Sequence, residues 1–336
     1  MQSDKHHIGV ILLNLGGPEH ESEVQPFLYN LFSDREIIRL GPAFLQKPLA
    51  RFIAGKRAAK SRENYRKIGG GSPIGRITAR QAQALEQALA ADGDFTVKVA
   101  MRYWHPSAEK TLASLAARRV DTLIALPLYP HYSRATTGSS LNDLQRRALN
   151  GRTGRGLITI KSWPTEPDYI RSLAGKINSA LDSFGEEEVT IVYSAHSLPQ
   201  KFIDEGDPYV RELRETITSL EALTGRRGQL CFQSRSGPVR WLSPSTPETI
   251  RRLAEQGCKN LLMVPISFVS DHVETLYEID ILYKKMARQL GMRLESTPGL
   301  NTDPLFIAAL RNLVITALDR YRSGTDSNGR SENAAS

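Results

Sequence analysis

Apolar residues come in short unbroken runs, each closed by glycine, proline or a polar cluster. The first run, residues 8–15, ends in Gly16, Gly17 and Pro18. Further strand-like runs cover 96–102, 122–128, 156–162, 188–193, 230–233 and 260–269. Between them, residues 23–32, 76–91, 108–118, 166–184, 208–223, 247–256 and 274–290 carry apolar positions at helical spacing. Continuous apolar strands separated by helices predict an α/β fold, with parallel sheet covered by helices on both faces.

The pattern repeats. A strand ending near Trp104, then a proline, a helix and a strand closing on Pro127 make one copy. A strand before Trp241, then Pro244, a helix and a strand reaching Pro265 make the other. The two Trp-to-Pro intervals are nearly equal, so we read a duplication into two similar lobes with a cleft between them. Clefts between domains are favoured ligand sites. The expected boundaries are 1–165 for the first lobe, 166–302 for the second and 303–322 for a C-terminal amphipathic helix. A polar tail over 323–336 reads as disordered. Residues 41–66 stand apart. Phe44, Leu45, Leu49, Phe52 and Ile53 mix with Lys47, Arg51, Lys56, Arg57, Lys60, Arg62 and Arg66. Three readings of this basic insert stay open: a lid, a membrane-surface contact or a plain surface helix.

Composition narrows the classes. With 336 residues, 40% of them hydrophobic, the chain has ample core to fold without staples. The formal charge of +8 suits nucleic acid, an anionic membrane, an acidic small molecule or only a solvated basic surface. Two cysteines, Cys231 and Cys258, make neither a disulfide framework nor a four-thiolate site. A reducing compartment is expected. Neither a signal peptide nor a membrane-spanning run is expected, because each apolar stretch is far shorter than the ~20 residues a bilayer needs.

The ionisable groups gather where strands end. His196 follows the run 188–193, between Ser194 and Ser197. Asp271, His272, Glu274 and Glu278 follow the run 260–269. In open parallel sheets, ligands sit beyond the carboxyl ends of the strands. Imidazoles with carboxylates there point to proton transfer, metal handling or both. On a helix, Glu274 and Glu278 share one face. The set lacks His-Glu-x-x-His and thiolates, so it permits a transient Fe, Zn or Co site rather than a structural one. The loop Gly69-Gly-Gly-Ser-Pro-Ile-Gly75 lacks the Walker pattern. It lets backbone approach something closely, and the basic residues before it make carboxylate capture one reading and a plain connector the other. Residues 127–140, with Tyr129, His131, Tyr132 and Arg134, read as a binding loop or as a turn-and-cap segment. Phe232 and Trp241 offer a flat aromatic wall or satellite core.

Six strings together resemble the ferrochelatase family, which inserts ferrous iron into a porphyrin. They are Leu13-Asn-Leu-Gly-Gly-Pro-Glu19, Tyr65-Arg-Lys-Ile-Gly-Gly-Gly-Ser-Pro-Ile74 and Tyr129-Pro-His-Tyr-Ser-Arg-Ala-Thr-Thr-Gly-Ser-Ser140. The others are Ser194-Ala-His-Ser-Leu-Pro199, Gln233-Ser-Arg-Ser-Gly-Pro238 with Trp241-Leu242, and Ser270-Asp-His-Val-Glu-Thr-Leu-Tyr-Glu278. The likeness spans residues 9–313. It implies two Rossmann-like lobes with the porphyrin between them. It implies that His196 and Glu274 bind iron or accept pyrrole protons, with either role open to each. Asp271, His272 and Glu278 match accompanying positions, read as proton relay. Arg57, Tyr65, Ser72 and Trp241 fall where related enzymes meet porphyrin.

The partners implied are porphyrin and ferrous iron, not nucleic acid, with weak membrane contact as an open addition. Iron is a substrate, so no resident cofactor is expected. Animal members carry a two-iron, two-sulfur cluster on one internal and three C-terminal cysteines. Here Arg134 takes the internal position and the tail has no cysteine, so no cluster is expected. The chain resembles a bacterial member, expected in the cytoplasm or at the inner face of the cell membrane. Protoporphyrin is favoured, on residues 233–242. Coproporphyrin insertion and non-catalytic tetrapyrrole or metal binding are the alternatives.

Overall fold

The computed structural model describes residues 6–150 and 156–324; most of the expected tail, from residue 325 on, lies outside them. The strands are β1 (His7–Asn14), β2 (Asp94–Met101), β3 (Thr122–Pro127), β4 (Gly156–Thr159), β5 (Thr190–His196), β6 (Gly228–Gln233), β7 (Asn260–Pro265) and β8 (Arg293–Ser296). The helices are α1 (Val24–Ser33), α2 (Gln46–Arg66), α3 (Ile74–Leu89), α4 (Ala108–Ala117), α5 (Ser139–Asn150) and α6 (Pro167–Asp182). They continue with α7 (Gln200–Asp204), α8 (Tyr209–Thr224), α9 (Thr246–Glu255), α10 (Lys284–Gln289) and α11 (Pro304–Arg322).

There are two four-stranded parallel sheets, ordered β2-β1-β3-β4 and β6-β5-β7-β8. The same topology appears twice, as the duplicated pattern implies. Finer marks recur too. Met101 N donates to Pro106 O and Phe232 N to Pro244 O, each from the end of the second strand of its lobe to a proline beyond it. Ser107 and Ser245 then cap α4 and α9 through their side chains, satisfying helix-end amides that would otherwise lack partners.

Alternation along the strands divides the cores. Ile8, Val10 and Leu12 face a shared interior, whereas Ile11 and Leu13 face α4 and α5. In the second sheet Leu262 and Val264 face that interior, while Leu261 and Met263 face α9 and α10. The shared interior is filled by Leu85 and Leu89 of α3, Tyr169 and Ile177 of α6, Leu213 and Leu220 of α8, and Phe306 and Leu310 of α11. One apolar layer thus fastens the lobes together.

Residues 129–134 form a polar seam between the lobes. Tyr132 N donates to Glu212, Ser133 Oγ and Arg134 N donate to Asp207, and His131 Nε2 bonds Thr216 Oγ1. His131 is fully enclosed, and burial pushes it down to about 3, so it stays neutral. The turn-and-cap reading of this stretch holds: a π-helical turn, Arg134–Gly138, opens α5. That helix, α7 and the short β8 are absent from the apolar pattern.

The basic insert is the long helix α2, packed on α1. Its buried stripe is Gln46, Ala50, Ala54, Ala58 and Tyr65. Small residues permit close approach to α1, and of the large apolar side chains Ile53 packs beside them. Phe44 and Phe52 are 77% and 59% exposed.

Candidate active site

His196 is the last residue of β5. Its backbone amide donates to Ser267 Oγ, and its carbonyl accepts from the Tyr209 hydroxyl. Both bonds fix the strand end, so the imidazole leaves it in a set direction. Nδ1 lies 2.7 Å from Glu274 Oε2. The two side chains are 36% and 21% exposed, so the pair is open to the cleft. Burial opposes charge on His196, but the Glu274 carboxylate outweighs it and holds His196 above its usual value. Burial likewise opposes charge on Glu274, and the His196 charge and hydrogen bond overcome it, holding the carboxyl below its usual range.

Glu274 opens a π-helical stretch, Glu274–Tyr283, that passes into α10. An ordinary α-helix was expected over 274–290. A π-helix bonds each residue to the fifth along, so residues four apart lie nearly one turn apart. Glu274 and Glu278 therefore stack on one side, and π segments concentrate at functional sites. Ser234 Oγ lies 3.0 Å from Glu274 Oε2 and 2.7 Å from Glu278 Oε2. Burial and the nearby Glu274 charge push Glu278 up to about 7. Gln233 ties the elements together: Nε2 donates to the Glu274 carbonyl, and Oε1 accepts from Ser194 Oγ.

His272 is buried and tilted against the Phe268 ring, with 4.2 Å between centroids. Its Nδ1 faces the Ser270 carbonyl at 3.0 Å, so Nδ1 carries the hydrogen of the neutral ring. Nε2 is then a bare lone pair, and it has no hydrogen-bond partner among the described residues. Burial holds His272 below its usual value. Phe268 also meets His196 edge-on, at 6.1 Å, and so stands between the two imidazoles. Asp271 is engaged elsewhere. Its oxygens accept from Gly299 N, Asn301 Nδ2 and Thr275 Oγ1. Among the described residues no group of three or more His, Cys, Asp or Glu is arranged to hold a metal ion.

The first lobe reaches the same place. Tyr65, in the last turn of α2, is buried; burial, then the Glu274 charge, raises its phenol. Lys67 Nζ sits 5.5 Å from the centre of the Tyr277 ring. Gln81 Nε2 of α3 donates to Ser270 Oγ and to the Asn301 carbonyl. Ser72 is buried where its amide donates to Pro18 O. The close approach of the Gly-rich loop is to the chain itself: a Cβ on Gly71 would stand 1.9 Å from Glu19 O. Arg66 and Lys67, beside that loop, pair with Glu21 and Glu63. Arg57 is exposed, over the Phe32 ring at 5.4 Å. Trp241 is held by a bridge to Pro199, three residues past His196.

The family model for ferrochelatase matches residues 7–318. The chain belongs to the ferrochelatase family. A ferrochelatase of Desulfotalea psychrophila is 58% identical over 307 residues, covering 91% of this chain and 96% of the relative. One of Geotalea uraniireducens is 53% identical over 308 residues, with the same coverage. Among solved structures, SirB from Bacillus subtilis with Fe3+ superposes at a TM-score of 0.56 and 10% identity, over 94% of this chain and 98% of that one. At that identity the likeness shows the two-lobed chelatase fold and nothing finer.

Of the residues read from sequence in this ferrochelatase, His196, Glu274 and Glu278 come together, Tyr65 and His272 feel the Glu274 charge, and Trp241 is tied to the site only through its bridge to Pro199. Asp271 anchors the loop at 299–301. Sequence reasoning passed over Ser234, Phe268 and Gln81. For Ser234 the string Gln-Ser-Arg-Ser-Gly-Pro was the available signal. Phe268 and Gln81 carried none, since an apolar run and a helix face hold such residues anywhere.

Proposed function

We propose that this ferrochelatase inserts ferrous iron into protoporphyrin IX, forming protohaem in the last step of haem biosynthesis. The observation that carries the reading is the His196–Glu274 pair, 2.7 Å apart at a strand end and open to the cleft. Insertion replaces two pyrrole N–H bonds with iron–nitrogen bonds and releases two protons. His196 and Glu274 offer one base and one hard oxygen ligand, and each serves as iron ligand or proton acceptor. Two ligands hold iron exchangeably, as a substrate must be held; a carrier needs a closed shell or tight axial ligation. Tyr65, Ser72 and Trp241 border the porphyrin, and Arg57 suits its carboxylates. Binding energy at the ring edge supports distortion at its centre. Glu278 passes protons away, while Asp271 holds the segment that carries His272 and Glu274.

No resident cofactor takes part. The position of the internal cluster cysteine in animal members is Arg134, whose guanidinium lies 3.8 Å from the centre of the Phe202 ring and pairs with Glu205. The exposed Phe44 and Phe52, among exposed Lys47, Arg51 and Lys56, suit an anionic membrane surface. No helix among the described residues is long and apolar enough to cross a membrane. As part of the same reading, the enzyme works on the cytoplasmic side, rests peripherally at the membrane and meets no nucleic acid.

Anaerobic assay with ferrous iron and either protoporphyrin or coproporphyrin tests the reading. Turnover of protoporphyrin is expected. Turnover of coproporphyrin alone would move the substrate, and binding without turnover would sink the enzyme assignment.

A further inference from the structure

Gln81 is fully buried on α3, a helix of the first lobe, yet its side-chain amide bonds to the second. Nε2 donates to Ser270 Oγ at 3.0 Å and to the Asn301 carbonyl at 2.7 Å, and Oε1 lies 3.3 Å from the same Ser270 Oγ. Both partners sit at the root of the site. Ser270 stands four residues before Glu274, and its carbonyl meets His272 Nδ1. Asn301 clamps the same segment. Its backbone amide donates to the Val269 carbonyl, Oδ1 accepts from Asp271 N, and Nδ2 donates to Asp271 Oδ2. It does so at φ +47, a conformation that asparagine tolerates better than most residues.

The start of α3 is tied into the first lobe. Ser72 N donates to the Pro18 carbonyl, and a Cβ on Gly17 would stand 2.8 Å from Ser72 Cβ. Asn14 Nδ2 donates to Thr78 Oγ1, which donates to the Ile74 carbonyl. Thr78 and Gln81 are three residues apart and so share a helix face. That face links Ser72, which borders the porphyrin in the reading above, to Ser270, which leads to Glu274. One turn further on, Leu85 and Leu89 are plain apolar core. An amide at position 81 is costly to bury unless its bonds are made. Apolar contact is non-directional, whereas hydrogen bonds fix distance and angle.

We propose that Gln81 is a positioning residue for metal insertion, holding the segment of His272 and Glu274 at a set height above the porphyrin wall of the first lobe. This rests on the reading of His196 and Glu274 as the groups that meet iron and the pyrrole protons. Gln81 itself is enclosed and acts through Ser270 and Asn301. Without its amide the porphyrin still binds, but Glu274 drifts from the ring centre. Misplacement by about an ångström costs up to about a hundredfold in rate.

The test uses Gln81→Met in the full chain, which keeps side-chain length and helix propensity and removes the amide. With ferrous iron and protoporphyrin IX, kcat is expected to fall by about tenfold or more, and KM for porphyrin to stay within about twofold. Gln81→Met with Ser270→Ala separates position from stability. Removing both polar partners is less damaging than stranding one. The double variant is therefore expected to regain part of the melting temperature that Gln81→Met loses, while kcat stays low. Arg311→Met is the control. It cuts the ion pair with Asp92 beyond the other end of α3, and kcat is expected to stay within about twofold of the parent. Three results overturn the proposal: Gln81→Met keeping kcat within about twofold, kcat recovering with the melting temperature in the double variant, or an equal fall in Arg311→Met. Amide hydrogen exchange reads the tie without turnover. Residues 269–276 and 299–301 are expected to exchange at least about tenfold faster in Gln81→Met, with β1 and β3 unchanged. Unchanged exchange in those two stretches overturns the tie. Faster exchange there, in a chain whose parent inserts no iron, upholds the tie and counts against the function alone.

Discussion

His196 Nδ1 and Glu274 Oε2 meet at 2.7 Å, though one residue closes β5 and the other follows β7. The sheet makes this possible. β5 and β7 are adjacent and parallel, with Ser194 opposite Pro265, so their carboxyl ends lie side by side at the ~4.8 Å strand spacing. The segment after β7 then folds back as a π-helical stretch, which brings Glu274 over the end of β5.

His196→Ala is expected to reduce iron insertion by about 10²–10⁴-fold, the range for losing a positioned acid–base group. Glu274→Gln should be comparably damaging, because it removes the charge with little change of shape. Steady-state assays with circular dichroism as a check on folding decide this. A folded His196→Ala chain with near-parental turnover would falsify the assignment.

Glu278 makes stability fall with pH. Its carboxyl is pushed from 4.5 up to about 7 in the folded chain. Between those values the folded state binds more protons than the unfolded state, so stability declines as pH rises through that window. Glu278→Gln removes this decline. It is expected to be near-neutral at pH 4.5 and stabilising at pH 8 by on the order of 2 kcal/mol, allowing for partial exposure. Metal-free denaturant titrations at the two pH values measure it. An equal shift at both would rule the effect out.

Gly71→Ala is expected to destabilise by about 3 kcal/mol or more, since the added Cβ would stand 1.9 Å from the Glu19 carbonyl oxygen and backbone must move. Gly69→Ala meets nothing within 4 Å, but its φ of +102 is strained for alanine, so about 1 kcal/mol is expected. Thermal melts of the two variants give the comparison; equal melting temperatures would contradict the packing argument.

These cases show what was legible in the chain. Strand runs and amphipathic helices alternate at separations that reveal both sheets, and the shared placement of Trp and Pro reveals their common topology. Strand-end position picked out His196 and Glu274 before any contact was known. Other features had no local signature. A π-helix and an α-helix share the same apolar spacing, so the widening at Glu274–Tyr283 was invisible. The helix α5 is largely polar, and β8 is only four residues long. The Gly-rich loop announced a close approach but not its partner, which is the neighbouring loop at Glu19. Asp271 looked like its ionisable neighbours, yet its oxygens are engaged by residues 275, 299 and 301.

The purified chain, produced with ample iron and sulfide, is expected to lack iron–sulfur absorption. On the family resemblance Arg134, paired with Glu205, is expected to take the position of an internal cluster cysteine, and the whole sequence holds two cysteines. Visible spectra with sulfide analysis are the measurement. A chromophore lost on reduction, with stoichiometric sulfide, would contradict the expectation.

The insert offers the last test. α2 docks on α1 through a stripe of small residues and leaves Phe44 and Phe52 outward, beside exposed Lys47, Arg51, Lys56, Arg57 and Lys60. Each positive charge near an anionic leaflet contributes roughly 1 kcal/mol, and screening weakens it within a Debye length. A buried phenylalanine adds about 2 kcal/mol. The expected sum is weak, salt-sensitive attachment, which would let an apolar substrate arrive through the bilayer interface. The chain should float with phosphatidylglycerol-containing vesicles at low salt and detach at high salt, and Phe44→Ser with Phe52→Ser should weaken flotation. Absence of flotation at low salt removes the membrane contact. The half-buried Leu49 and its neighbour Leu45 test a separate point: if Leu45→Asp and Leu49→Asp leave KM for porphyrin unchanged, the insert does not line the path by which the porphyrin enters.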